Sequence, residues 1–182
     1  MECLGFTFRL SGLSFQDVTH IIRHRAGTFR QDKPSFALAG IGQGPIASTP
    51  LQMALVAAGI ANRGVVMEPH LGRRVEDRQG RVVRRVAPQA WRRATSPETA
   101  ATITEFMVSV VRNGTGTAAQ IPGVTVAGKT GTAQAPGGPP HAWFIAFAPA
   151  EAPRFAISVI IERGGSAGDE ATGGRVAAPV AA

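Results

Sequence analysis

Four consecutive residues, Lys129-Thr130-Gly131-Thr132, bring together an ammonium, two hydroxyls and an unshielded stretch of backbone. Read as a strand, they offer on one edge a cation, O–H donors and N–H groups that a ligand can approach closely. That set suits an extended, peptide-like substrate ending in a carboxylate. The triplet Lys-Thr-Gly alone is a weak signal and gains force only from its neighbours. Two other motif matches fail on context. Residues 123–130 fit the phosphate-loop pattern G-x-x-x-x-G-K-[ST]. Such a loop needs a strand before it and a helix after it, so that backbone N–H groups point at phosphate. Here Pro122 precedes it, the middle residues are strand formers, and the Gly- and Pro-rich residues 131–140 cannot be a helix. Gly164-Gly165-Ser166-Ala167-Gly168 fits the nucleophile elbow G-x-S-x-G. The residues after it make a poor helix, and no histidine follows Ser166 to act as base, so it reads as a glycine loop at a strand end.

The elements that must position the Lys129 edge are legible around it. Val124 and Val126 alternate into the edge, which predicts a strand near 124–134. Residues 137–140 read as a turn. Two apolar strands follow near 142–148 and 155–161, joined through Pro149 and Pro153 as an antiparallel hairpin. Upstream, residues 40–45 form a tight, irregular glycine loop. Thr49-Pro50-Leu51-Gln52 then opens a helix: Thr49 as N-cap, Pro50 at the first position, Gln52 closing a capping box. The helix is apolar nearly all round, which predicts burial on most sides. Residues 65–94 read as short strands and an arginine-rich excursion about a Gln79-Gly80 turn. A second helix, near 96–112, opens at Ser96 or Thr95 and carries Ile103, Phe106, Met107, Val110 and Val111 on one face. Residues 1–33 give no clear pattern and are expected to be weakly ordered.

The chain has 182 residues, 44% hydrophobic and 17% charged, enough for one domain with a buried core. A single cysteine, Cys3, rules out an internal disulfide framework and a Cys-rich zinc site. The four histidines (20, 24, 70, 141) have no metal-ligand spacing, so neither metal nor cofactor is expected. No apolar run reaches the length needed to span a bilayer, and no signal peptide is visible. The net charge of +7 is arginine-dominated and concentrated between Arg63 and Arg93. A basic chain can bind nucleic acid or an anionic surface. No aromatic series interleaves with these arginines as a stacking platform would need. They read as a solvated hairpin, and nucleic acid is not an expected partner.

Four segments in order carry a resemblance. They are Gly40-Ile41-Gly42-Gln43-Gly44 with Thr49-Pro50-Leu51-Gln52-Met53-Ala54; Asn113-Gly114-Thr115-Gly116-Thr117-Ala118-Ala119; Ala127-Gly128-Lys129-Thr130-Gly131-Thr132-Ala133-Gln134; and His141-Ala142-Trp143-Phe144-Ile145-Ala146-Phe147. Together they resemble the C-terminal part of the transpeptidase domain of class B penicillin-binding proteins, with the flavour of the actinobacterial cell-division enzymes. The resemblance covers residues 34–182 and leaves 1–33 unmatched. It implies an α/β (α+β) fold, an antiparallel sheet with helices on its faces. It implies a serine D,D-transpeptidase that cross-links peptidoglycan stem peptides and is acylated by β-lactams. It also implies work outside the cytoplasmic membrane through an N-terminal anchor, and divisome proteins as partners. Carried over residue by residue, Lys129 would place charge near the substrate carboxylate. Thr130 and Thr132 would contact substrate, the Thr132 N–H would supply half of the oxyanion hole, and Gly131 would let the substrate backbone approach.

The sequence departs from that family at the nucleophile. Its two lysines, Lys33 and Lys129, have Arg30 and Val126 three residues before them, so no S-x-x-K is present. Its two asparagines, Asn62 and Asn113, have Ile60 and Val111 two residues before them, so no S-x-N is present. Without the nucleophile the covalent route is closed, and the expectation is a chain that is inactive alone. The alternative is a non-catalytic module that binds stem peptide or a divisome partner.

Overall fold

The structure is a computed structural model that describes residues 34, 37, 41–43 and 47–182. The expectations for residues 1–33, and for half of the loop at 40–45, lie outside the described residues. Helix α1 (Pro50–Ala61) starts as its sequence dictates. The Thr49 hydroxyl accepts from the Gln52 N–H at 3.2 Å, and the Gln52 side-chain oxygen accepts from the Thr49 N–H at 2.8 Å. Two N–H groups with no partner inside the helix are satisfied reciprocally, an arrangement worth about 1 kcal/mol. Ala54, Leu55, Ala57 and Gly59 are buried, whereas Val56 stays 46% exposed.

A nested pair of antiparallel ribbons follows. β1 (Val65–Met67) pairs with β4 (Ala90–Arg93), and between them β2 (Arg74–Glu76) pairs with β3 (Val82–Arg85). Asp77 ties the β2–β3 turn. Its carboxylate accepts from the N–H groups of Gln79 and Arg81, both at 2.9 Å, and from Arg81 Nε at 2.7 Å. The arginines of β2, β3 and β4 are exposed, as a solvated hairpin requires.

Helix α2 (Pro97–Asn113) begins at Ser96, whose hydroxyl accepts from the Thr99 N–H at 3.2 Å. Here the expected apolar face is corrected. Phe106 is 66% exposed, and the buried stripe is Ala100, Met107 and Val111. Phe106 lies six positions from Ala100, well over a quarter turn off that stripe. Small Ala100 sets the contact line, which a count of large apolar residues overlooks.

Among the described residues, the main sheet has three antiparallel strands in the order β5 (Ala127–Ala135), β6 (Gly138–Ala148) and β7 (Phe155–Ile161). Two further expectations are corrected. Val124 lies outside β5: Gly123 turns at φ +77° and Val124 pairs only with Ile121. The β5–β6 turn is the two-residue Pro136-Gly137, with Gly137 at φ +69°, so Gly138, Pro139 and Pro140 already belong to β6. Proline is tolerated at the start of a strand, where a ladder N–H can be spared.

Alternation along the strands divides the core in two. Ala142, Phe144 and Ala146 face Val111, Ala171, Ala177 and Ala178. Ala127, Ile145 and Phe147 face Ala57 of α1 and Met107 of α2. The sheet is therefore covered on both faces by helix and by the C-terminal turns, the expected α+β arrangement. After β7 come irregular 3-10 turns over Glu162–Glu170, a π-helical turn over Gly173–Ala177 and a short helix α3 (Ala178–Ala181). No helix among the described residues is long and apolar enough to cross a membrane.

Candidate functional site

Among the described residues β5 is an edge strand of the sheet, and it carries Lys129, Thr130, Gly131 and Thr132 in sequence. They pair with Ile145, Phe144, Trp143 and Ala142 of β6. The alternation puts Lys129 and Gly131 on the sheet face of Ala127 and α1. Thr130 and Thr132 lie on the face of Gly128 and Val111. Lys129 Nζ donates to the Thr130 carbonyl at 2.6 Å. The Thr130 hydroxyl lies 2.7 Å from that of Thr115, which follows the C-cap of α2.

The outer edge of β5 is marked by Gln43. Its side-chain amide donates to the Thr132 carbonyl at 2.9 Å and accepts from the Gln134 N–H at 3.2 Å. The N–H and C=O of one strand residue point to the same side. The Thr132 N–H thus faces the same outer edge as its carbonyl. Thr132 and Thr130 share this parity, so both turn backbone groups toward the outer edge rather than toward β6.

The segment after the second glycine loop buttresses β5 from the side of Thr130. Thr172 caps its turn by accepting from the Arg175 N–H at 3.3 Å. A Cβ on Gly173 would lie 2.6 Å from the Gly131 carbonyl oxygen and would also overlap the Trp143 carbonyl. A Cβ on Gly174 would overlap the Thr115 carbonyl. Only glycine allows these backbones to meet, so residues 173–174 act as a wedge between the sheet and the Thr115 loop.

Both failed motif matches are explained by the same geometry. Residues 127–130 run straight on as strand, with no helix after Lys129 to present N–H groups to phosphate. Ser166 sits in a run of kinked 3-10 turns, not at a strand-to-helix elbow. The structure adds Gln43 and Thr115 to the edge. Both stand in glycine-rich segments that carry the resemblance, but nothing in their spacing says that they meet β5.

The family model for the penicillin-binding protein transpeptidase domain matches residues 12–182. This match begins inside the segment 1–33 and runs through the whole described structure. The peptidoglycan D,D-transpeptidase PbpA of Mycolicibacterium smegmatis is 43% identical over 153 residues, covering 82% of this chain and 31% of that protein. The peptidoglycan D,D-transpeptidase MrdA of Acinetobacter baumannii is 34% identical over 146 residues, covering 72% of this chain and 22% of that protein. Among solved structures, penicillin-binding protein A from Mycobacterium tuberculosis as a ceftriaxone acyl-enzyme aligns with a TM-score of 0.70 at 43% identity. It covers 79% of this chain and 33% of that one. This chain thus spans between about a fifth and a third of the length of these relatives. With an edge strand bearing Lys-Thr-Gly-Thr, helices on both sheet faces and a family match over nearly its whole length, the chain belongs to the penicillin-binding protein transpeptidase family.

Proposed function

We propose that this chain supplies one wall of a D,D-transpeptidase cleft, the β5 wall, and that it binds peptidoglycan stem peptide or a β-lactam there without being acylated by itself. The observation that carries this reading is the outward-facing edge of β5. Lys129 offers a positive charge to a substrate carboxylate, and the Thr130 hydroxyl a hydrogen bond. The Thr132 N–H gives one of the two donors an oxyanion needs, and Gly131 leaves the backbone open to approach. The β-lactam acyl-enzyme complexes formed by penicillin-binding protein A, which this chain resembles, support the choice of ligand. The absence of S-x-x-K and S-x-N from the sequence supports the silence of the isolated chain, since no serine has the lysine it needs. The family's extracytoplasmic setting and a divisome partner belong to the same proposal.

The test is titration of the 182-residue chain with a peptide ending in D-Ala-D-Ala. Saturable binding that Lys129→Ala abolishes is the expected result. Binding unchanged in Lys129→Ala, or no binding at all, would remove the β5 edge as the site.

A further inference from the structure

The two hydroxyls at the edge of β5 form a pair that bears on how it reads a carboxylate. Thr115 and Thr130 are fifteen residues apart, yet their side-chain oxygens are 2.7 Å apart. The position of Thr115 is built in. The N–H groups of Gly114 and Gly116 both donate to the Val110 carbonyl, at 3.1 and 3.0 Å, closing α2 immediately around it. Gly174 presses against the Thr115 carbonyl from the other side, and a Cβ there would lie 3.6 Å from the Thr130 methyl. The Thr130 side chain is thus held between Thr115 and Gly174.

Each hydroxyl has one proton and two acceptor lone pairs. In the free chain either oxygen can be the donor. A carboxylate accepts only. To bind one, Thr130 must spend its single proton outward, and the pair is then kept only if Thr115 donates to Thr130. A donated bond polarises the Thr130 O–H and strengthens the bond it makes in turn, most of all to a charged acceptor. We infer that Thr115 is a positioning residue of the β5 edge: it orders the Thr130 hydroxyl toward the ligand and raises selectivity for a free C-terminal carboxylate. This rests on the reading of the β5 edge as the carboxylate site.

The experiment compares the affinity of the 182-residue chain for a D-Ala-D-Ala peptide as free acid and as C-terminal amide. Wild type, Thr115→Val and Thr115→Ser are measured, with unfolding midpoints as the folding control. Thr115→Val keeps the shape and removes the hydroxyl. The expected result is a loss of acid affinity of about three- to tenfold, the range of one hydrogen bond, with a smaller loss for the amide. Thr115→Ser restores the acid affinity. Equal losses for acid and amide, or failure of serine to rescue, would make the effect one of packing and overturn the proposal. An acid affinity unchanged in Thr115→Val would overturn it too, while leaving the β5 site standing. A wild-type chain that binds acid and amide equally would overturn the carboxylate reading of β5 and this proposal with it. If Thr115→Val does not fold, Thr115→Ala takes its place with the same outcomes.

Discussion

Lys129, Thr130, Gly131 and Thr132 were legible as neighbours on one strand, because strand geometry needs no tertiary information to place a cation, hydroxyls and backbone along one element. Thr115 and Gln43 were not. Their contacts span 15 and 89 positions and exist only after α2 and the glycine loop have docked on β5. Gly128 shows how tightly the residues beside the site are fitted. A Cβ there would overlap the Phe144 ring and lie 3.0 Å from Val111 Cγ2. Phe144 is fully buried, and buried rings sit in close-packed surroundings. Gly128→Ala is therefore expected to lower stability by about 1–3 kcal/mol, the usual range for overpacking. Denaturant unfolding reads this directly, and a variant as stable as wild type would mean that the ring has room to shift.

At the scale of elements, local chemistry decided what the sequence could reveal. The start of α1 follows from Thr49, Pro50 and Gln52 alone, since the capping box closes within four residues. The start of α2 was legible to within one residue, and of the two candidates, Thr95 and Ser96, it is Ser96 that caps the helix. The buried face of α2 was misjudged at Phe106, because only the partner decides which flank of a wide apolar stripe is covered. The β2–β3 hairpin is held at its turn by Asp77. Hydrogen bonds from the Arg81 backbone N–H, then from the Arg81 side chain, hold its carboxyl below the usual aspartate range. A depressed folded-state pKa gives a stabilisation that is complete above the ordinary carboxylate range and is lost as pH falls through the folded value. The turn should therefore stay closed at neutral pH and loosen below about pH 4. Amide exchange at Gln79 and Arg81, rising there before it rises in β5 and β6, is the expected signature. Uniform opening of hairpin and sheet together would contradict it.

Over the whole molecule, β6 and β7 and their antiparallel pairing follow from two apolar runs separated by prolines, whereas β5 carries no apolar run and starts beyond the valines that pointed to it. The placement of small residues does not follow either. Ala142, Ala146, Ala171, Ala177 and Ala178 form much of one core face, and an alanine seldom announces burial in a sequence. The glycine wedge at 173–174 is likewise invisible until the C-terminal turns fold back on Gly131 and Thr115. What results is a chain that spans a third or less of the relatives it matches and presents the Lys129–Thr132 edge. The most direct measurement is backbone amide NMR of the 182-residue chain during titration with a D-Ala-D-Ala peptide. Saturating shifts centred on Lys129, Thr130, Gly131 and Thr132, reaching Gln134 and Thr115, are expected. Shifts centred elsewhere, with β5 silent at saturation, would contradict the assignment of this edge as the binding wall.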